Sequence, residues 1–198
     1  MADQKISQMT NASALTGSEV MPLVQNGGNV KATTAAVAAL SVNSPRVYAI
    51  MTVNTAVAAN TWTKIVFDSV NGTFDSVPTF ISGTNAVQNS NGTFKPGQTG
   101  TYFVIYYLRG NSIASTKEIV ARIMRYPNAD GTGTGVFQGG YMEKYSSGEA
   151  SITITGFGVV QISDTNQTIG IEAQHDDTGS KNFIGGNTGG YLSISKLI

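Results

Sequence analysis

The side chains best suited to acid–base or metal chemistry in this sequence meet at one place, the triplet His175-Asp176-Asp177. His175 is the only histidine, and the chain has no cysteine. The two carboxylates suit calcium, but calcium takes about six or more oxygen ligands, and no H-E-x-x-H motif accompanies the histidine to indicate zinc. Because the triplet follows a strand-like run, Ile169–Gln174, we expect a polar loop. Contact with a glycan or a divalent cation is the alternative.

The remaining candidates for catalysis lack a supporting motif. A glycosidase needs two facing carboxylates, and nothing in the spacing selects a pair from Asp130, Glu143, Glu149 and Glu172. No G-x-S-x-G nucleophile motif is present. The glycine-rich run Gly131–Gly135 lacks the lysine and the following helix of a phosphate-binding loop, and we expect a flexible hairpin tip there. The sequence therefore predicts neither enzyme activity nor a cofactor.

Exposed aromatic rings are a third kind of candidate. A tyrosine ring has an apolar face and a polar tip, which suits stacking against sugars. Most aromatic residues are expected in the core or in a subunit interface, but Tyr141 and Tyr145 lie beside small residues, Gly139-Gly140 and Ser146-Ser147. The candidate glycan contacts are Tyr141, Tyr145, His175, Asp176 and Asp177.

Composition argues against several classes of partner. The 198 residues carry 12 Lys and Arg against 12 Asp and Glu, so the net charge is zero, and only 12% of residues are charged, against about 25% in ordinary domains. Nucleic-acid binding requires clustered cations, so we expect none. No apolar run approaches the roughly 18 residues of a membrane-spanning helix. Met1–Leu15 shows no signal-peptide pattern.

The elements that position these residues are predicted to be β-strands. Val and Ile outnumber Leu, and Gly, Ser, Thr and Asn are abundant, a balance typical of strands joined by turns. The strongest strand, Thr101–Leu108, is apolar on both faces, whereas a surface sheet has one polar face. Another sheet, another subunit or a ligand must cover the second face. We expect a trimer interface formed by Tyr102, Val104, Tyr106 and Leu108 on one face and Phe103, Ile105 and Tyr107 on the other.

The first 44 residues differ from the rest of the chain. They contain no aromatic residue and few charges, so we do not expect them to build a core of their own. The patterns predict a turn at Asn26–Asn29, a short helix with a threonine N-cap at Thr33–Leu40, and a break at Ser44-Pro45. The sequence thus predicts an extended arm, residues 1–44, and a β-sandwich domain, residues 45–198. A disordered tail is the alternative for the arm.

Several motifs between about Trp62 and Ile198 belong together. They are Gly92-Thr93-Phe94-Lys95-Pro96, Gly100-Thr101-Tyr102-Phe103-Val104, Val159–Ile162, Ile169–Ala173 and Gly190–Ile194. Their order is similar to that of the jelly-roll family of tumour necrosis factor and complement component one-q, whose pattern is G-x-F-x-x-P-x-x-G-x-Y-x-F. Here the proline comes one residue early, and a valine replaces the last phenylalanine. The resemblance implies an all-β jelly-roll sandwich that forms homotrimers.

A second set of motifs lies in the arm. It consists of Lys5-Ile6-Ser7-Gln8-Met9, Ala14-Leu15-Thr16-Gly17-Ser18-Glu19-Val20 and Pro22-Leu23-Val24-Gln25. This order resembles the N-terminal segment of tailed-bacteriophage fibre and decoration proteins, in which K-I-S-x-L precedes A-L-T-G-x-E-x-x-P-V-V-Q. The resemblance implies attachment to a virion through Lys5, Ile6, Leu15, Val20, Pro22, Leu23 and Val24.

These observations predict a structural bacteriophage protein at the virion surface, a trimeric head fibre or capsid-decorating protein. Its arm would bind a capsid or tail protein, and its knob would point outward, where it could contact host polysaccharide. The capsid exterior is favoured over the tail because only a few residues separate Leu40 from the first predicted strand of the knob. A short tail fibre or baseplate receptor-binding protein is the first alternative. A secreted complement-type adhesive module is the second.

Overall fold

A computed structural model describes residues 20–25, 28–33, 45–69, 72–74, 77–83, 85–148, 151–186 and 189–197. Every regular element within these ranges is a β-strand, which confirms the all-β prediction. The chain divides between residues 43 and 44 into two compact units.

The first unit contains an antiparallel hairpin. Strand β1 (Val20–Gln25) pairs with strand β2 (Gly28–Thr33) along their full length, and Gln25 faces Gly28 across a two-residue connection. The sequence Asn26-Gly27 at this connection is the strongest short hairpin signal. Of the helix predicted at Thr33–Leu40, Thr33 is the last residue of β2, and residues 34–40 lie outside the described part of the chain.

The second unit is a sandwich of two antiparallel sheets. Its strands are β3 (Arg46–Ile50), β4 (Thr55–Ala58), β5 (Thr63–Lys64), β6 (Gly72–Phe74), β7 (Val77–Ser82), β8 (Val87–Gln88), β9 (Phe94–Lys95), β10 (Gly100–Asn111), β11 (Glu118–Tyr126), β12 (Val136–Tyr145), β13 (Ser151–Ile162), β14 (Thr168–His175), β15 (Ser180–Phe183) and β16 (Tyr191–Lys196).

Strand β10 is central to the front sheet. On one side of it lies β13, and on the other side lie β15 and β16. Beyond β16 follow β3, β7 and β6, and beyond β15 follows β4. In the back sheet the order is β12-β11-β14-β9-β8, and β5 also pairs with β14.

The core lies between the two sheets, and strand alternation decides which side chains enter it. On β10, burial alternates residue by residue, as expected for a strand with one face on the core. The face that carries Tyr102, Val104, Tyr106 and Leu108 is fully buried within one copy of the chain. These four residues are therefore not available to a second subunit, which corrects the expectation that both faces of β10 join a trimer interface. Of the seven residues predicted to form the trimer interface, only Phe103, Ile105 and Tyr107 remain as candidates.

Buried tyrosines fill much of this core and keep their hydroxyls hydrogen-bonded. The Tyr102 hydroxyl donates to the Gln98 carbonyl at 2.9 Å, and the Tyr106 hydroxyl donates to the Gly140 carbonyl at 2.5 Å. The Tyr126 hydroxyl, on the other side of the back sheet, donates to Glu172 at 2.8 Å. Because each phenol is satisfied in its neutral form, the burial of these large rings stabilises the fold without leaving an unpaired polar atom.

We expect this protein to unfold in alkali above pH 10. Burial raises the pKa of Tyr102 from 10.0 to about 12 and raises the pKa values of Tyr106 and Tyr126 as well. A raised pKa favours the protonated folded state, so this stability is complete below pH 10 and is lost as the pH rises through the folded-state values. For Tyr102 alone it amounts to about 3 kcal/mol.

The check is a series of chemical denaturation curves from neutral pH to about pH 12, with tyrosinate absorbance recorded in parallel. Loss of structure and the late part of the tyrosine ionisation should coincide. The denatured chain serves as the control, since its tyrosines titrate at the ordinary value. A fold that persists while all tyrosines ionise near pH 10 would contradict this expectation.

Candidate interaction surface

The outer face of the front sheet is apolar and aromatic. On β10, Phe103, Ile105 and Tyr107 alternate with the core residues and are half-buried. Their cross-strand neighbours on the same side include Val159 opposite Phe103 and Phe157 opposite Ile105. We call this surface the aromatic face; it consists of Tyr48, Phe103, Ile105, Tyr107, Phe157, Val159 and Tyr191.

The rings of the aromatic face already contact one another. Tyr107 stacks on Tyr191 with 5.5 Å between ring centroids and an interplanar angle of 7°, and Tyr48 lies 5.9 Å from Tyr191. Phe103 and Phe157 form a second pair at 6.3 Å. Such pairs hold their geometry in advance of any contact with a partner. Burial, with a smaller contribution from Tyr191, raises the pKa of Tyr48, which keeps that phenol neutral.

Much of this apolar area remains accessible to solvent. Phe157 is 66% exposed and Val159 is 51% exposed. In the described register of β13, β10, β16 and β3, the only charged positions on this side are Arg46 and Arg109, near opposite ends of the face. An apolar surface of this kind, with charged residues only near its ends and small serines of β16 within it, is typical of protein–protein contact sites.

The outer face of the back sheet differs, because over β11 and β14 its own side chains cover it. The Arg122 guanidinium lies 3.8 Å from the centroid of the Trp62 ring and donates to Glu172 at 3.0 and 2.7 Å. The Lys64 ammonium lies 4.1 Å from the centroid of the Tyr126 ring. Beneath this layer, Val120 is only 1% exposed although it faces outward. These side chains therefore cover the centre of the back sheet, over β11 and β14, whereas most of the edge strand β12 remains exposed.

Two exposed tyrosines lie at the edge of the back sheet. Tyr141 and Tyr145, both on β12, are 51% and 62% exposed. Hydrogen bonds to Glu143 and Glu118, together with the charges of these carboxylates, raise the pKa of Tyr145 to about 12. Burial, followed by the proximity of Glu143, raises the pKa of Glu118. Both tyrosines remain accessible, and their contact with a glycan stays a prediction.

The triplet His175-Asp176-Asp177 does not form an open polar loop. His175 is 1% exposed, and its Nε2 lies 2.8 Å from the Val57 carbonyl. Asp177 is 3% exposed and accepts hydrogen bonds from the Ala114 N–H at 2.8 Å and from the Lys181 ammonium at 2.9 Å. These bonds hold the pKa of Asp177 well below its usual range.

The triplet therefore serves the fold, and the expected glycan contacts at His175 and Asp177 are corrected. Asp176 accepts a hydrogen bond from the Glu118 N–H at 2.7 Å and pairs with Lys117 at 3.5 Å. Within the part of the chain that the structure describes, no group of three or more His, Asp or Glu side chains is placed to hold a metal ion.

The glycine-rich loop between β11 and β12 is bound by side chains from elsewhere, which sequence reasoning missed. Asn89 donates to the Ala129 carbonyl at 2.9 Å, and Asn91 donates to the Asp130 carbonyl at 2.8 Å. The Lys64 ammonium donates to the Gly131 carbonyl at 2.5 Å. The asparagines are remote in sequence, so no local signal indicated these contacts.

The candidate carboxylates and the predicted anchoring residues are placed as follows. Glu172 is committed to Arg122 and Tyr126, Asp130 accepts hydrogen bonds from Thr132 of its own loop, and Glu149 lies outside the described residues. Of the predicted virion contacts, Lys5, Ile6 and Leu15 lie outside the described residues, while Val20, Pro22, Leu23 and Val24 belong to β1. None of the described residues forms a helix long and apolar enough to cross a membrane.

Comparison with known structures identifies the fold. The globular domain of zebrafish complement 1qA covers 78% of this chain and 98% of its own, with a TM-score of 0.51 and 10% sequence identity. Eiger TNF from S. frugiperda aligns over 79% of this chain and 92% of its own, with a TM-score of 0.51 and 11% identity. Murine APRIL aligns over 78% and 100%, with a TM-score of 0.54 and 13% identity.

These alignments confirm the predicted jelly-roll sandwich of the tumour necrosis factor and complement one-q type. No protein-family model matches the amino-acid sequence, and no curated relative matches it either. At identities of 10% to 13% the likeness concerns the fold, so the function has to be argued from the surfaces of this chain.

Proposed function

We propose that this chain is a structural attachment protein whose knob, residues 45–198, forms a homotrimer through the aromatic face. The observation that supports this most is the contrast between the two outer faces of the sandwich. The centre of the back sheet is covered by an ion pair and cation–π contacts of its own side chains, whereas the centre of the front sheet leaves Phe157 66% exposed beside preformed tyrosine pairs. An apolar face that remains exposed in one copy of the chain is expected to bind a permanent partner. Another copy of the same chain is the simplest such partner, because most oligomers are homo-oligomers.

A cyclic trimer is proposed in preference to a two-fold dimer. In a ring, each copy contacts its two neighbours through different surfaces, and such heterologous contacts close when the rotation between neighbours is that of a closed assembly. The aromatic face supplies one of these two surfaces. The resemblance to jelly-roll trimers supports three copies in the ring.

The arm, residues 1–44, is proposed to attach the trimer to a bacteriophage particle. The support is the resemblance of its motifs to fibre and decoration proteins. We favour a head fibre or capsid-decorating protein on the capsid exterior, because residues 34–45 leave no room for a long shaft between β2 and β3. A short tail fibre or baseplate receptor-binding protein is the alternative, and a secreted complement-type adhesive module is the second. We propose no enzyme activity and no cofactor.

Contact with host polysaccharide is a second proposed role of the knob. Its support is the exposure of Tyr141 and Tyr145 beside two carboxylates that accept hydrogen bonds. A glycan-binding screen of the full-length protein and of its Tyr141→Ala, Tyr145→Ala double variant would test it. Binding by the wild type that the double variant loses supports this role, and absence of binding by the wild type removes it.

Light scattering on the purified full-length protein tests the trimer. Three chains of 20.7 kDa give an expected mass of 62.1 kDa. A monomer at 20.7 kDa would overturn the trimeric knob, since the aromatic face would then be exposed in solution. Immunogold labelling of particles released by the host that encodes this chain tests the position, because a decoration protein labels the capsid and a tail fibre labels the tail.

A further inference from the structure

The hairpin of the arm has two edges that differ in their capacity to bind another strand. Its connection has two residues, so the pair next to it, Gln25 and Gly28, exchanges both hydrogen bonds. Bonded and non-bonded pairs alternate from there, which makes Pro22 and Lys31 a non-hydrogen-bonded pair. At such a pair the backbone N–H and C=O groups point away from the hairpin. Among the residues that the structure describes, these groups form the two outer edges of the two-stranded sheet.

Pro22 makes the β1 edge a poor partner for a further strand. Proline has no backbone N–H, so the outward edge of β1 lacks a donor in the middle of the strand. On the opposite strand, the outward positions include Asn29 and Lys31, which face Val24 and Pro22, and both keep their N–H groups. Proteins use proline in this way to block an edge against strand addition. The hairpin therefore offers β2, and not β1, to a further strand.

In a threefold assembly, the hairpins of the other copies are not suitable partners for the β2 edge. Neighbours in a ring meet head to tail, so β2 of one copy would have to join β1 of the next, where Pro22 removes the donor. Pairing of β2 with β2 joins copies two at a time and leaves the third unpaired. A two-stranded hairpin by itself is only marginally stable, so a further strand would stabilise it.

We infer that the arm attaches by strand addition, with an extended strand of the particle protein pairing along β2 at Asn29 and Lys31. This inference rests on the proposed function, since it takes the knob as trimeric and the arm as the anchor. Main-chain hydrogen bonds then supply the attachment, and three arms acting together multiply it. The partner is recognised by its open sheet edge.

Residue-resolved hydrogen exchange tests the edge directly. The probe is the population of particles released by the host that encodes this chain, loaded with wild-type full-length trimer. On attachment, exchange of the Asn29 and Lys31 amides should slow by about tenfold or more, which corresponds to about 1.4 kcal/mol of added protection. The outward amides of Val20 and Val24 on β1 should be unaffected. Protection of β1 alone, or of neither strand, would overturn the inference.

A pair of variants tests the same edge by function. Lys31→Pro removes the outward N–H, and we expect attachment to fall about tenfold or more because a ladder bond is lost and the ring obstructs the incoming strand. Lys31→Ala removes the side chain and keeps the N–H, so it should attach far better than Lys31→Pro. Unchanged exchange protection at Met21 and Leu23, which bond to β2 inside the hairpin, shows that the variants keep the hairpin.

The outcomes separate the two proposals. If the two variants attach to the particle equally well, or if both fail to attach, the β2 edge does not bind the particle. That result overturns only this inference. If the wild-type trimer itself does not attach, the anchoring role and this inference fall together. A light-scattering mass of twice the trimer would show β2 paired with β2 between trimers and would also overturn it.

Discussion

Tyr107→Asp is expected to convert the assembled protein into folded monomers, with the light-scattering mass falling from 62.1 kDa, three times the chain mass, to 20.7 kDa. Tyr107 belongs to the aromatic face on the central strand β10 and stacks on Tyr191. A carboxylate there would lose its water on assembly among apolar side chains, which costs several kcal/mol at each of three contacts. In the monomer the same carboxylate points to solvent, so the sandwich should remain folded.

Two further variants make this result interpretable. Tyr141→Asp changes an exposed tyrosine on β12 in the other sheet, away from the aromatic face, and it should leave the mass at that of the trimer. Tyr106→Asp places a charge in the core, where the Tyr106 ring is fully buried, so we expect it to unfold the chain instead of dissociating it. Circular dichroism distinguishes an unfolded chain from a folded monomer. A Tyr107→Asp protein that still assembles as a trimer would remove the aromatic face from the interface.

Gly92→Ala is expected to destabilise the knob by about 4 kcal/mol, the sum of backbone strain and overpacking. Gly92 has a φ of +82°, and a Cβ there would lie 2.2 Å from the Ile65 carbonyl oxygen and 2.7 Å from the Val66 Cα. Both contacts are with backbone, so no side-chain rotation relieves them. The turn before β9 would have to move away from the segment that leads from β5.

Gly186→Ala is the matched control for this prediction. Its φ of +83° is nearly identical, and a Cβ there would meet nothing within 4 Å. We expect it to cost only the backbone strain, about 1 kcal/mol. Chemical denaturation of both variants at neutral pH gives the difference. Equal destabilisation by the two substitutions would show that conformation alone, and not the close approach of Ile65, requires glycine at position 92.

Local sequence patterns were sufficient to predict the fold class and the main strands. The run of β-branched and aromatic residues in Thr101–Leu108 predicted β10, which the structure extends to Gly100–Asn111. The run Asn26–Asn29 predicted a turn, and β1 and β2 on either side of residues 26 and 27 pair with each other. These features depend on local steric preferences, which are properties of the nearest residues in the chain. The order of motifs along the chain also led to the jelly roll, which the structural comparisons confirm.

The burial of the polar residues proposed as ligand contacts could not be predicted from local sequence patterns. His175 and Asp177 looked like an exposed loop because their neighbours in sequence are polar. Their partners, Val57 and Ala114, lie 118 and 63 residues away. Only the folded chain brings such groups together. The two residues that were predicted to bind a ligand instead form hydrogen bonds that hold strands and loops of the sandwich together.

The sequence by itself determined that β10 has two apolar faces, and it could not say which face enters the core. A strand that is apolar on both sides carries no local mark of inside and outside. The tertiary structure decided this by placing the back sheet over Tyr102, Val104, Tyr106 and Leu108. It also showed that Arg122, Glu172 and Trp62 cover the back sheet from outside. The distinction arises from the packing of one sheet on another, which brings together residues far apart in sequence.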